Sequence, residues 1–174
     1  MTIEAKTIML KGCNGPRDEA IANTSGVLPG HLLYVMTTGK VAVHAVAGGN
    51  CEKLIAIEDE LQGRGIDTAY ASGSRVTYIV AQRGDWVNAL LADGQNVAVG
   101  APLMSNGAGR LTALVNQVIT DTIDGAGDSS GDSGGTVSTT TVYTDRIVGY
   151  AMAAVDMSGS AGADPSGRIP VRIA

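Results

Sequence analysis

Short apolar runs separated by glycine-centred turns carry most of this chain, a pattern that predicts strands and hairpins. The clearest instance is written twice, first as Gly30-His-Leu-Leu-Tyr-Val-Met-Thr-Thr-Gly39-Lys40-Val-Ala-Val and again as Gly100-Ala-Pro-Leu-Met-Ser-Asn-Gly-Ala-Gly109-Arg110-Leu-Thr-Ala. Each copy opens on a glycine turn, runs through a short apolar strand, turns on small polar residues and starts a second strand at Gly-Lys or Gly-Arg. Glycine suits the positive-φ positions of such turns, and the cation after it keeps a strand edge in water. Two copies at one spacing predict a pseudo-repeat of hairpins.

Strands are expected at residues 31–36, 40–46, 52–58, 74–82, 86–91, 97–99, 102–104, 109–115, 146–155 and 168–174. In the last, Ile169, Val171 and Ile173 alternate with Arg168, Pro170 and Arg172, so one face is buried; Pro170 predicts a sheet edge or the start of pairing. Between Glu58 and Tyr70 a helical turn is allowed, which Gly63 and Gly65 keep brief. Residues 2–11 read as an extended arm, and residues 12–26, rich in Gly, Asn, Pro and Asp, as a loop. Residues 120–141 hold one Ile, one Val and no cation, too little apolar surface to offset the entropy of ordering them, which predicts an exposed loop. The expected organisation is an arm and loop over 1–25 and one β-rich domain over 26–174, with the polar loop at about 116–141. The fold class is mainly β, a small barrel or sandwich of short hairpins with long polar loops and at most one or two short helices.

Composition narrows the core. Of 174 residues 44% are hydrophobic, but only 3% are aromatic and phenylalanine is absent, so Val, Ile, Leu and Ala must fill the interior. A net charge of −5 with no cluster of lysine or arginine argues against nucleic acid as a partner. No apolar run approaches a membrane span, and Met-Thr-Ile-Glu-Ala-Lys lacks the features of a secretion signal, which predicts synthesis in the cytoplasm and no membrane partner. Cys13 and Cys51 stand alone, as free thiols do, and with His31 and His44 they complete no metal-ligand spacing. Asp121, Asp124, Asp128 and Asp132 recur as calcium ligands would, but the terminal Glu of a calcium loop is missing. Neither a cofactor nor a metal is expected.

One motif carries a catalytic signature. Gly131-Asp132-Ser133-Gly134-Gly135 resembles the segment around the nucleophilic serine of chymotrypsin-like proteases, where glycine turns present the serine to an oxyanion hole. The family also needs a histidine base in a Thr-Ala-Ala-His-Cys context, and the best candidate, His44, sits in Ala-Val-His-Ala-Val. The serine itself lies in a low-complexity tract that repeats a composition more than it fixes a geometry. The residues favour a solvated loop, with a serine protease as the alternative and a tail or adhesion module as a third reading.

The order of elements resembles a family. Gly26-Val-Leu-Pro-Gly30-His-Leu-Leu-Tyr-Val with Gly39-Lys40-Val, then Glu52-Lys-Leu-Ile-Ala-Ile-Glu58, Gly84-Asp85-Trp-Val-Asn-Ala-Leu-Leu-Ala-Asp-Gly-Gln-Asn-Val-Ala-Val-Gly100-Ala-Pro-Leu, Arg146-Ile-Val-Gly-Tyr-Ala-Met-Ala-Ala-Val-Asp156 and the closing Arg168-Ile-Pro-Val-Arg-Ile together resemble the head decoration, or capsid cement, proteins of tailed bacteriophages. The resemblance implies a non-enzymatic virion protein that settles on the exterior of an expanded shell, often as a trimer at threefold or quasi-threefold positions, with the major capsid protein as partner. For capsid binding the candidates are Thr2, Ile3, Glu4, Ala5, Lys6 and Thr7, an extended arm with Ile3, Ala5 and Thr7 on one face and Glu4 and Lys6 on the other, suited to strand addition. It fits equally the first strand of the chain's own barrel. Trp86, Val87, Leu90 and Leu91 are the candidates for a homotrimer interface, since a chain with few aromatics gains from burying apolar strand faces against copies of itself.

Overall fold

The computed structural model describes residues 6–12, 15–115, 117–122, 136–141, 146–160 and 167–174. Alternation and turn chemistry produce strands throughout, and the fold is mainly β. Five of them, β2 (Arg17–Ile21), β3 (Leu32–Val35), β4 (Val41–Val43), β5 (Leu54–Ala56) and β6 (Arg75–Val80), form an antiparallel sheet in the order β2-β6-β5-β3-β4. A bridge between Ala22 and Val41, with Asn23 N–H donating to the Val41 carbonyl at 2.9 Å, closes β4 back onto β2 and makes a small barrel. A 3₁₀ turn at Glu60–Gln62 is capped by Asp59 and stopped by Gly63 at φ 69°.

A second sheet contains β1 (Met9–Lys11), β7 (Trp86–Leu90), β9 (Pro102–Ser105), β10 (Leu111–Ala113), β13 (Gly149–Ala151) and β15 (Arg168–Ile173), in the order β1-β7-β15-β13-β9-β10. Without β1 it repeats the first barrel strand for strand. β7, β9, β10, β13 and β15 stand where β2, β3, β4, β5 and β6 stand, and a bridge between Leu91 and Leu111 closes it, as Ala22–Val41 closes the first. The registers match too. Ile21 faces Arg75 as Leu90 faces Arg168; Leu54 faces Val80 as Gly149 faces Ile173; Leu33 faces Val43 as Leu103 faces Ala113. Even the turns agree: Gly30 N–H donates to the Ala56 carbonyl and Gly100 N–H to the Ala151 carbonyl, both at 2.7 Å. Gly30 and Gly100 have φ 90° and 81°, and Gly39 and Gly109 φ 75° and 71°. The chain is therefore a tandem pair of five-stranded barrels, and the twice-written hairpin is the most legible part of that duplication. The pairing of β8 (Asn96–Val97) with β14 (Val155–Asp156) repeats the Val27–Tyr70 bridge of the first barrel.

Side chains at alternate positions fill the two interiors. Leu33, Val41, Leu54, Ala56, Val76 and Tyr78 point into the first barrel. Its outward-facing Leu32, Ile55 and Ile79 join Val87, Leu103, Leu111, Ile169 and Val171, which line the second interior, in one larger cluster that runs across both barrels.

Several expectations change. Residues 17–21, read as loop, are β2: Arg-Asp-Glu is exposed and carries no apolar run, and the strand forms through its ladder to β6. β15 is an internal strand, not an edge, and Pro170 falls on the other alternative, the start of pairing: the ladder to β13 begins at Val171, and the Pro170 carbonyl accepts from Met152 N–H at 2.8 Å. Within 116–141, β11 (Gln117–Thr122) and β12 (Thr136–Thr141) pair antiparallel over six positions, so backbone hydrogen bonding organises a polar sequence that a core could not. Residues 115–145 form a compact unit of their own.

Candidate functional site

The N-terminal segment is tied into the body at one acidic residue. Glu58 follows the apolar run of β5 and is buried; its carboxylate accepts from Thr7 Oγ1 and from Ile8 N–H at 3.1 Å. A carboxylate removed from water must replace its hydration with hydrogen bonds, and the segment supplies them. Ile8 is fully buried, its carbonyl accepts from Asn88 N–H at 2.8 Å, and Met9 pairs with Val87. The ammonium of Lys11 lies 5.5 Å from the ring centroid of Trp86, a cation–π contact at the start of β7. Residues from Ile8 to Lys11 thus belong to the protein's own sheet, at its edge.

Beside this edge a cleft of about 720 Å³ opens on the outer face of β2 and β6, where Arg17, Glu19, Arg75 and Thr77 point outward. Its wall is the 3₁₀ turn, whose Leu61 is 100% exposed. Arg75 bridges Glu19 at 3.1 Å, and Asp18 accepts from the Tyr78 hydroxyl at 3.1 Å.

The outer face of β7 and β15 is, in contrast, covered. The Pro29–Gly30–His31 turn of the first barrel sits on it: Leu90 N–H donates to the Gly30 carbonyl at 3.0 Å, and Arg168 Nη1 donates to the Pro29 carbonyl at 2.6 Å. A Cβ on Gly30 would come within 2.6 Å of Arg168 Nη1 and 3.0 Å of the Asn88 carbonyl oxygen, so glycine is required by space as well as by its φ. His31 is buried in this seam, its Nδ1 accepting from Leu28 N–H at 2.9 Å. Burial first, then the positive charges of Arg110 and Arg168, lower its pKa to about 4, so the ring is neutral at pH 7. Burial likewise lowers the pKa of Arg168, against the opposing pull of Asp67.

Of the candidates for an external partner, Thr2, Ile3, Glu4 and Ala5 lie outside the described residues; Lys6 is exposed and Thr7 is half-buried against Glu58. Val87, Leu90 and Leu91 are fully buried within the chain, so the expectation that they form a subunit interface is corrected: Val87 and Leu91 belong to the large cluster, and Leu90 lies under the Gly30 turn. Trp86 alone of the four keeps exposed surface. Ser133 and its glycines lie outside the described residues, as do Asp124, Asp128, Asp132 and Cys13; Asp121 pairs with Val137 in the hairpin. His44, the nearest match to a protease base, is buried with Nδ1 2.7 Å from the hydroxyl of fully buried Ser105. Cys51 is a free, half-buried thiol whose pKa burial pushes up.

Sequence reasoning missed Glu58, which reads as the first of a solvated Glu-Asp-Glu run. Its one distinguishing signal is position, directly after Leu54–Ile57. No family model and no curated protein matches the chain. Each buried polar group traced above (Glu58, Arg168, His31, His44 with Ser105) holds the chain's own framework together. What faces outward is a strand edge, a charged cleft and isolated apolar side chains.

Proposed function

We propose that this chain is a structural virion protein that binds the outer surface of an expanded bacteriophage capsid, as a trimer at threefold or quasi-threefold positions, and stabilises it. The observation that carries the reading is where the family-like runs fall. They coincide with β3 and β5 of the first barrel, β7, β9, β13 and β15 of the second, and the β8–β14 pair, so the resemblance falls on strands of both barrels and most fully on the second. A ligand that binds only the expanded lattice stabilises that lattice by mass action, and a trimer engaging three equivalent sites gains avidity without strong single contacts. No catalytic step enters this reading. The N-terminal arm is its anchor, held at a fixed point by the Glu58 clamp on Thr7 and Ile8.

The test mixes the protein with expanded shells, unexpanded precursor shells and naked DNA. Binding is expected to expanded shells alone; tight, salt-sensitive binding to DNA, or covalent labelling of Ser133 by a fluorophosphonate, overturns the reading. Removing residues 2–6 spares Thr7 and buried Ile8, so that variant is expected to keep its melting temperature and lose shell binding. Full binding by the shortened chain excludes the arm as anchor.

A further inference from the structure

We infer that the outer face of the first barrel, at Glu19, Ile21 and Arg75, is a docking site for the Val99–Gly100–Ala101 turn of a second copy of this chain. The inference deepens the self-association in the proposed function, and its test in solution is separate from any test on shells. It stands on the duplication. Within the chain, the first barrel presents its Pro29–Gly30–His31 turn to the outer face of the second barrel at Asn88, Leu90 and Arg168. Both halves of that contact have counterparts in matching register. Glu19, Ile21 and Arg75 hold the β2 and β6 positions that Asn88, Leu90 and Arg168 hold on β7 and β15. Val99, Gly100 and Ala101 hold the turn positions of Pro29, Gly30 and His31: Ala101 N–H donates to the Ala98 carbonyl at 3.2 Å, as His31 N–H donates to the Leu28 carbonyl at 3.1 Å.

The counterparts are open where the originals are covered. Leu90 is fully buried, but Ile21 is 38% exposed, and Val99 is 65% exposed. The Arg168 side chain is 7% exposed, but that of Arg75 is 68% exposed. Asn88 N–H is satisfied by the Ile8 carbonyl, but Glu19 N–H turns to its neighbour Asp18 Oδ1 at 2.7 Å. The cleft lies on this same face. A second copy repeating the intrachain step would cover Ile21 with the Gly100 turn and give Arg75 the Val99 carbonyl, as Arg168 has that of Pro29. Such a contact is heterologous: each copy offers a face on its first barrel and a turn on its second, and closes into a ring when the rotation allows.

Sedimentation over a concentration series tests this with the full chain and two surface variants, Ile21→Glu on the face and Val99→Glu on the turn. The wild type is expected to self-associate, and each variant to be monomeric and still to unfold cooperatively, because both sites are exposed. An equimolar mixture of the two is expected to form a dimer and nothing larger, since the intact turn of one meets the intact face of the other. Should either variant lose its fold, Arg75→Glu replaces the face variant and Val99→Lys the turn variant. A wild type that stays monomeric, a variant that associates undiminished, or a mixture that stays monomeric overturns the inference. Self-association of the expected kind without decoration of shells would overturn the capsid reading and leave this one standing.

Discussion

His31 occupies the seam between the barrels as a neutral ring. Its pKa falls from 6.5 in ordinary surroundings to about 4 in the fold, so between those values the unfolded chain binds more protons than the folded one. Stability then rises with pH across that window, and what is present at pH 7 is lost as the pH falls from 6.5 toward 4, by up to ~3 kcal/mol. Asparagine keeps an acceptor for Leu28 N–H and does not titrate. His31→Asn is therefore expected to flatten the pH dependence, reducing the loss between pH 7 and pH 4.5 by about 2 kcal/mol in urea titrations. An unchanged slope would place the proton elsewhere. The counterpart position in the second barrel is Ala101, so the duplication carries this titration in one copy only.

At the level of turns and strands, the two glycines that open the repeated hairpins separate two costs. Gly100 has φ 81° and nothing within 4 Å of an added Cβ, whereas Gly30 has φ 90° and faces Arg168 and Asn88. Gly100→Ala is expected to cost about 1–2 kcal/mol of backbone strain alone. Gly30→Ala is expected to cost at least ~1 kcal/mol more, because the guanidinium it displaces is already bonded to Pro29. Thermal unfolding of the pair checks the difference. These turns were legible because glycine at positive φ leaves a mark in sequence, and so was the 3₁₀ turn ended by Gly63. The rest of the duplication was not. Its loops differ in length, so β5 and β6 are offset from β13 and β15 by other spacings than the hairpins, and Leu-Ile-Ala stands where Gly-Tyr-Ala does. β2 hid because charged residues cover an exposed strand. The apolar run from Trp86 to Leu91 was legible as strand but not as interior, since nothing local says that a turn from the other barrel will cover it. For the candidate site, the arm was readable as extended; the buried carboxylate that ties it down was not.

For the whole molecule, duplication supplies an internal control on what the fold requires. The first barrel passes from β4 to β5 through residues 44–53; the second passes from β10 to β13 through residues 114–148, where the separate unit at 115–145 is inserted. A barrel of this design therefore closes through a short connection. Replacing residues 115–145 by a short Gly-Ser linker, with buried Ile147 and Val148 kept, is expected to leave a folded body whose melting temperature shifts by only a few degrees. Loss of cooperative unfolding would show that the inserted unit supports the barrel.

The position of β1 has a consequence during synthesis. Every strand of the first barrel is made before β7, so that barrel can be complete while β1 still waits for its partner. The edge then on offer is the wrong one, that of β2, in the register where Met9 would meet Asp18 instead of Val87. Arg17-Asp18-Glu19 on that edge is a poor seat for Ile8 and Met9, and Trp86-Val87-Asn88 on the later one is a good seat. The charges that hide β2 from a reading of the sequence thus also make its edge a poor seat for β1, leaving that strand to β7 while Glu58 holds Thr7 and Ile8.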